Sequence, residues 1–435
     1  MYIKRLRIDG IRNFHGPRAV DLDFTRPDGS YAGWTVLAGR NGSGKSTLLQ
    51  MLALTAGLPQ AVHIEYLIYN KPNQNLVTRG ANEGVIDATA VSQPEYDRNA
   101  KRLDQFGLKI PRRLADGVGG GWSHSSPLDE MSLDAHSGWL LAAYGPFRRL
   151  SNALVAAVQE SHTPSRMDAV RTLFEEDASL ADGVTWLVRQ HLFRLENQPG
   201  AAELLDTVLM LLSDGLLPDR HRIVKVDSSG LWVGRDGAEY PLAQVSDGYR
   251  SVVALVVDLI RRFDQAYGSA TLADLDGRPA LLQPGVVLID EVDAHLHVSW
   301  QQQIGPWLTA HFPNIQFIVT SHSPYVCQSA DPGGLIRLPG PDEAAAPHVV
   351  SQDLYERVVY GSGDDAVLTE LFGLDTPYSV AAERLRRRLA VLEGRVLAGE
   401  ATEAEVAEYQ EVSETLTSSL SSRVVELSAR LNRDS

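Results

Sequence analysis

The run Gly39-Arg40-Asn41-Gly42-Ser43-Gly44-Lys45-Ser46 constrains this chain more than any other stretch. It fits G-x-x-x-x-G-K-[ST], and its flanks suit the pattern: the apolar strand Trp34-Thr35-Val36-Leu37-Ala38 runs into it, and a helix is expected from about Lys45 to Leu54. Glycines let successive backbone N–H groups turn inward around the oxygens of an anion, and the positive end of the following helix points at the same place. A phosphate chain is the ligand this chemistry suits. Lys45 then reaches the β- and γ-phosphates, and Ser46, with Thr47 behind it, stands where Mg²⁺ binds.

A second apolar run, Val286-Val287-Leu288-Ile289, closes on Asp290-Glu291. This is a Walker B pattern. A buried strand delivers Asp290 at its carboxyl end, where it can hold Mg²⁺ directly or through its waters. Glu291 is placed to orient or deprotonate an attacking water. Phe317-Ile318-Val319-Thr320-Ser321-His322 is another buried strand ending in polar residues, and its histidine can hydrogen-bond a γ-phosphate. Ser246-Asp247-Gly248 opens a long helix expected to reach about Phe263; serine and glycine there suit either an anion site or a plain N-cap.

In chain order, the P-loop, then the Ser246–Gly248 helix start, then Asp290-Glu291, then His322, the four motifs resemble the head of ABC-type ATPases, and most closely the soluble branch that contains SMC, RecF and OLD-type proteins. The opening Leu6-x-Ile8-Asp9-Gly10-Ile11-Arg12-Asn13-Phe14 is similar to that branch's first strands, where an arginine lies near the nucleotide, here Arg12. Asp290-Glu291-Val292-Asp293-Ala294-His295-Leu296-His297, Thr320-Ser321-His322-Ser323-Pro324 and Ala143-Tyr144-Gly145-Pro146-Phe147-Arg148-Arg149 look most like OLD-type ATPases. The resemblance implies an α/β fold: a P-loop ABC ATPase head with an inserted helical lobe and a C-terminal helical hairpin. It implies ATP and Mg²⁺ as ligands, with Gly39 through Thr47 and Arg12 around the nucleotide, and Ser46 and Asp290 on the metal. It makes Lys45, Glu291 and His322 catalytic, and sets Ser246, Asp247 and Gly248 against the γ-phosphate held by an opposite subunit. Three departures stand out. His297 occupies the D-loop aspartate position, Asp247 replaces a glycine, and no single Q-loop glutamine emerges from Gln60, Gln74 and Gln93. The pair His295 and His297 reads as D-loop rather than as metal ligands, and the Tyr144–Arg149 segment as either nucleotide-proximal or a buried turn.

Periodicity organises the rest. Ile3, Leu6 and Ile8, then Val20, Leu22 and Phe24, predict two opening strands. Residues 55–135 show no clear period; their Asn/Gln/Gly-rich stretch and Gly117–Gly121 read as loops. A helical pattern runs from about Met167 to Leu216, and a hairpin turns at Ser229-Gly230 with a second turn at Asp236-Gly237. Residues 335–350 read as a surface loop or linker. Beyond them a helical hairpin over 379–432 is expected, with Leu385, Leu389, Leu392 and Val396 on one stripe and a capping box at Thr402-x-x-Glu405. The expected division is ATPase core over 1–155, helical lobe over 156–220, second core segment over 221–335, and linker with helical region over 336–435.

A net charge of −15 argues against a surface built for nucleic acid, though not against a local basic groove. No long apolar run predicts a membrane span, the N-terminus lacks a signal-peptide pattern, and a single cysteine, Cys327, suits a reducing cytoplasm. Residues 331–435 lack the acidic strand-end clusters of a Mg²⁺ nuclease. The chain therefore resembles OLD-like ATPase subunits that stand alone in antiphage systems such as the Septu and PARIS types, where a homo-dimer or higher homo-oligomer acts with a separately encoded effector, a nuclease. Two alternatives stay open: a RecF-like repair ATPase that clamps DNA, and an ATP-binding scaffold with little turnover.

Overall fold

A computed structural model describes residues 1–57, 76–97, 105–111, 123–125, 139–148, 167–175, 180–270, 272–374 and 376–416. The strands, in chain order, are β1 (Tyr2–Asp9), β2 (Val20–Asp23), β3 (Gly33–Ala38), β4 (Glu83–Val91), β5 (Gln105–Pro111), β6 (Ser123–Ser125), β7 (Leu141–Tyr144), β8 (Arg222–Asp227), β9 (Gly230–Arg235), β10 (Ala238–Pro241), β11 (Leu272–Leu275), β12 (Arg278–Leu281), β13 (Gly285–Ile289), β14 (Ile315–Ser321), β15 (Leu335–Arg337) and β16 (His348–Val349). The helices are α1 (Lys45–Gly57), α2 (Ala181–Leu195), α3 (Ala201–Ser213), α4 (Asp247–Tyr267), α5 (Val298–His311), α6 (Pro324–Cys327), α7 (Gln352–Val359), α8 (Gly363–Val367), α9 (Val380–Leu397) and α10 (Glu403–Leu416).

A six-stranded sheet in the order β16-β15-β3-β14-β13-β7 forms the centre. Its strands run parallel except for the edge strand β16. Every residue of β13 and β14 is buried, as strands covered on both faces must be. Alternate side chains feed two cores. Val287, Ile289, Phe317 and Val319 join the cluster that contains α2 to α5, while Val286, Leu288 and Ile318 join α1 and the first antiparallel sheet. That second sheet has the order β2-β1-β4-β5-β6. A three-stranded sheet, β10-β9-β8, follows the helical pair α2 and α3. The sandwich is the expected α/β head, and α2 and α3 form its helical lobe.

The order of the central strands decides where the chemistry sits. β14 lies between β3 and β13, so the ends of the P-loop strand, the His322 strand and the Asp290 strand are neighbours. In parallel sheets, ligands bind at such carboxyl ends.

Three readings need correction. Residues 55–135 hold two strands of seven or more residues, β4 and β5, paired to each other, with β4 also paired to β1. β4 alternates buried and half-buried residues in Val85–Val91, a period that the polar surroundings masked. The helical pattern from Met167 begins late: Arg171–Leu173 is a 3-10 turn and the first helix of the lobe starts at Ala181. Residues 335–350 do not begin as a loop. Leu335, Ile336 and Arg337 are a buried strand paired with β3, and Leu338 donates its N–H to Ala38 O at 2.8 Å.

The chain divides into two compact units, Met1–Phe372 and Gly373–Ser435. Within the second, α9 and α10 pack around Leu392 and Val412. Thr402 and Glu405 make the reciprocal bonds of a capping box, at 2.9 and 3.3 Å. Three arginines of α9 are engaged: Arg388 pairs with Glu408 at 2.6 Å, Arg387 with Glu383 at 3.2 Å, and Arg386 lies 3.7 Å above the Tyr378 ring. The stripe beyond residue 416, Gly117–Gly121, Arg149, Gln60 and Gln74 lie outside the described residues. No helix among the described residues is long and apolar enough to cross a membrane.

Candidate nucleotide site

The P-loop turns as its glycines allow. Gly42 and Gly44 adopt φ of 79° and 102°, where other residues are strained, and a Cβ on Gly44 would meet the Phe14 ring at 2.5 Å. A Cβ on Gly39 would lie 2.3 Å from Leu338 O, so the strand end of β15 backs the loop. Asn13 Nδ2 donates to Gly42 O at 3.1 Å. Lys45 Nζ folds back on the loop, donating to Gly39 O at 2.8 Å and Arg40 O at 3.2 Å. Burial pushes its pKa down to about 8, although Asp290 and Glu291 pull the other way.

Beside the loop opens a cavity of about 790 Å³. It brings together Arg12, Asn41, Gly42, Gly44, Lys45, Ser46, Thr47, Glu291 and His322 from the expected set. Arg12 Nη1 donates to Thr47 Oγ1 at 2.8 Å, and burial lowers the guanidinium pKa. Burial and then the charge of Asp290 raise the Glu291 carboxyl, which makes it a better base. Burial and then Lys45 lower His322, which keeps its imidazole neutral at pH 7.

Other expected residues lie elsewhere. Asp290 is almost fully enclosed; its Oδ1 accepts from Thr320 Oγ1 at 2.6 Å. Gly39, Arg40 and Ser43 do not line the cavity, and the buried Ser43 hydroxyl has no hydrogen-bond partner. Ser246 and Gly248 line a separate small depression with Tyr249, His295, His297 and Trp300. Ser246 caps α4 by position only; its exposed hydroxyl makes no cap bond. A Cβ on Gly248 would lie 2.3 Å from His295 O, so the stretch after Asp290 presses on the start of α4 and glycine is required there. His297 instead caps α5, accepting from Ser299 N. Among the described residues no group of three or more His, Cys, Asp or Glu could hold a metal.

The cavity also takes in Asn13, Phe14, Val77, Thr78 and Arg79. Asn13 and Phe14 belong to the opening motif, but Val77–Arg79 carries no periodic or motif signal. Gln93 does not line it. Arg148 proves to be the core of a buried turn: it is 3% exposed and donates to backbone carbonyls of Asp290 and Glu291.

The donor set fits a nucleoside triphosphate with Mg²⁺. A buried ammonium held only by neutral carbonyls, two glycines in the left-handed region and an arginine suit a polyanion. A serine hydroxyl and a carboxylate supply the hard oxygens that Mg²⁺ prefers.

The chain is similar to several known proteins. A family profile described as "AAA domain, putative AbiEii toxin, Type IV TA system" matches residues 148–328, and an AAA domain profile matches residues 5–58. Septu protein PtuA of Bacillus mycoides (strain KBAB4) is 29% identical over 319 residues, which cover 72% of this chain and 37% of that protein. A retron Ec83 probable ATPase of Escherichia coli is 44% identical over 101 residues, covering 23% and 17%. Septu protein PtuA of Bacillus thuringiensis is 24% identical over 410 residues, covering 86% and 85%. The chain thus spans well under half the length of the first two and most of the third. An SMC head bound to the C-winged helix domain of ScpA superposes with a TM-score of 0.47 at 17% identity, covering 80% of this chain and 97% of that one. The chain is a homologue of Septu PtuA and of the probable ATPases of retrons.

Proposed function

We propose that this chain binds ATP with Mg²⁺ and hydrolyses it, and that two copies close over nucleotide, each offering Ser246 to Gly248 to the P-loop of the other. We further propose that the dimer is the ATPase subunit of an antiphage defence complex and controls a separately encoded effector, a nuclease. One observation carries the enzymatic reading: Lys45, Ser46, Thr47, Arg12, Glu291 and His322 share a single cavity at the ends of three neighbouring parallel strands.

Within that cavity Lys45 and Arg12 meet the phosphates as cations. Glu291, made more basic by burial beside Asp290, takes a proton from water. The neutral imidazole of His322 hydrogen-bonds the γ-phosphate. Ser46 and Asp290 would hold Mg²⁺, which when bound would neutralise charge along the phosphates. Catalysis by these groups is positioning and charge stabilisation, without a covalent intermediate. The free Ser246 hydroxyl supports a role toward a second copy, because its own helix does not use it. The defence role draws on the likeness to proteins named Septu PtuA and retron ATPase.

Phosphate release and light scattering, each with and without ATP and Mg²⁺, test both parts. Hydrolysis with a doubling of mass supports the proposal. ATP that stays intact for hours leaves only a scaffold, and a chain that remains monomeric rules out the shared site. Loss of phage protection on Lys45→Ala, in cells that express the chain together with a separately encoded nuclease, tests the defence role.

A further inference from the structure

Glu291 sits at φ 45°, a backbone region that residues with side chains rarely hold unassisted. Two residues outside the cavity hold it there. Arg148 is buried, and its Nη1 donates to Gly145 O at 3.0 Å and Asp290 O at 2.8 Å. Its Nη2 donates to Glu291 O at 2.9 Å and Val292 O at 3.4 Å. The carbonyls of three consecutive residues can converge on one cation only where the backbone turns sharply, as it does at Glu291. Thr320, at the end of β14, grips the same turn through its side chain: Oγ1 accepts the Glu291 N–H at 2.7 Å and donates to Asp290 Oδ1 at 2.6 Å.

We propose that Arg148 and Thr320 are positioning residues that clamp the Asp290–Glu291 turn and so aim the Glu291 carboxylate into the P-loop cavity. The proposal rests on the ATPase reading above. Neither residue lines the cavity, so neither touches the nucleotide. The two have different chemistries to lose. Arg148 offers a planar fork of donors that lysine, a single ammonium, cannot spread over four carbonyls. Thr320 needs only its hydroxyl, which must accept and donate at once, so serine can replace it and valine cannot.

The test measures steady-state ATP hydrolysis and ATP affinity for Arg148→Lys, Thr320→Val and Thr320→Ser, alone and combined with Glu291→Gln. We expect Arg148→Lys and Thr320→Val to lower kcat by on the order of 10- to 100-fold, as lost supporting contacts do around other sites. KM should hardly move, and Thr320→Ser should restore most of the rate. In the Glu291→Gln background either change should cost nothing more, because both act through that carboxylate. A matching loss of ATP affinity, or losses that multiply with Glu291→Gln, overturns the proposal. If Arg148→Lys does not fold, Thr320→Val decides: normal turnover overturns the clamp. A wild-type chain without turnover sinks the ATPase reading and the clamp together, whereas an active wild type with unaffected variants sinks the clamp alone.

Discussion

The ammonium of Lys45 lies 2.8 Å from the carbonyl oxygen of Gly39, the first residue of the loop that Lys45 closes. The loop thus stores a cation at its own centre, held by neutral dipoles until an anion arrives. Lys45→Ala removes that charge, and ATP binding measured by calorimetry should be abolished; unchanged affinity would rule out the P-loop assignment.

The same cation sets a pH dependence. Burial holds Lys45 near pKa 8 against an ordinary 10.5. Folded below unfolded means that the lysine opposes folding fully below about pH 8 and is relieved as pH rises from 8 to 10.5. A triphosphate reverses the shift by favouring the charged form. ATP binding above about pH 8 should therefore take up a proton. Titrations in buffers of different ionisation enthalpy check this, and a heat independent of buffer refutes it.

Glu291→Gln keeps the side chain's size and removes its basicity. Turnover should fall by on the order of 10²- to 10⁴-fold, the usual worth of a general base. The ATP-bound dimer should then accumulate, and light scattering that finds only monomer in ATP would count against the assignment.

Ser246→Arg should bind ATP normally and fail to hydrolyse it, because the substitution damages only the site of the other copy. Mixing it with Lys45→Ala should return some activity, since one site of each mixed dimer is then intact. An inactive mixture argues against sites shared between copies.

Asp258 in α4 is buried and accepts from Tyr144 Oη at 3.0 Å, Arg261 Nη2 at 2.5 Å and Arg262 Nε at 3.3 Å. Burial pushes its carboxyl up, but Arg262 and Arg261 outweigh burial and hold it below the usual range. Asp258→Leu would strand two guanidiniums, and breaking such a buried pair costs about 3–5 kcal/mol. Denaturant unfolding measures the loss; a change well under 1 kcal/mol would show that the pair adds little.

Contiguous stretches were legible in the chain alone. The loop from Gly39 to Ser46, the strand ending in Asp290-Glu291 and the helix start at Ser246 each carry their chemistry in adjacent residues, and the structure places them as strand, turn and helix. Arg12 was legible only through the resemblance of the opening Leu6–Phe14 motif, and it does line the cavity. Val77, Thr78 and Arg79 were not, because nothing local marks a loop residue that reaches the site from β4's approach. β15 hid behind a stretch rich in proline and glycine, because three residues are too few to show a period.

Only the tertiary arrangement decided which residues share a space. Asp290 and Thr320 are thirty positions apart, and Arg148 and Glu291 are much farther, yet each pair is in hydrogen-bond contact. Such contacts follow from the insertion of β14 between β3 and β13 and from the sharp turn after β13. Local patterns report what each segment can become, whereas packing two faces of one sheet determines which segment ends meet.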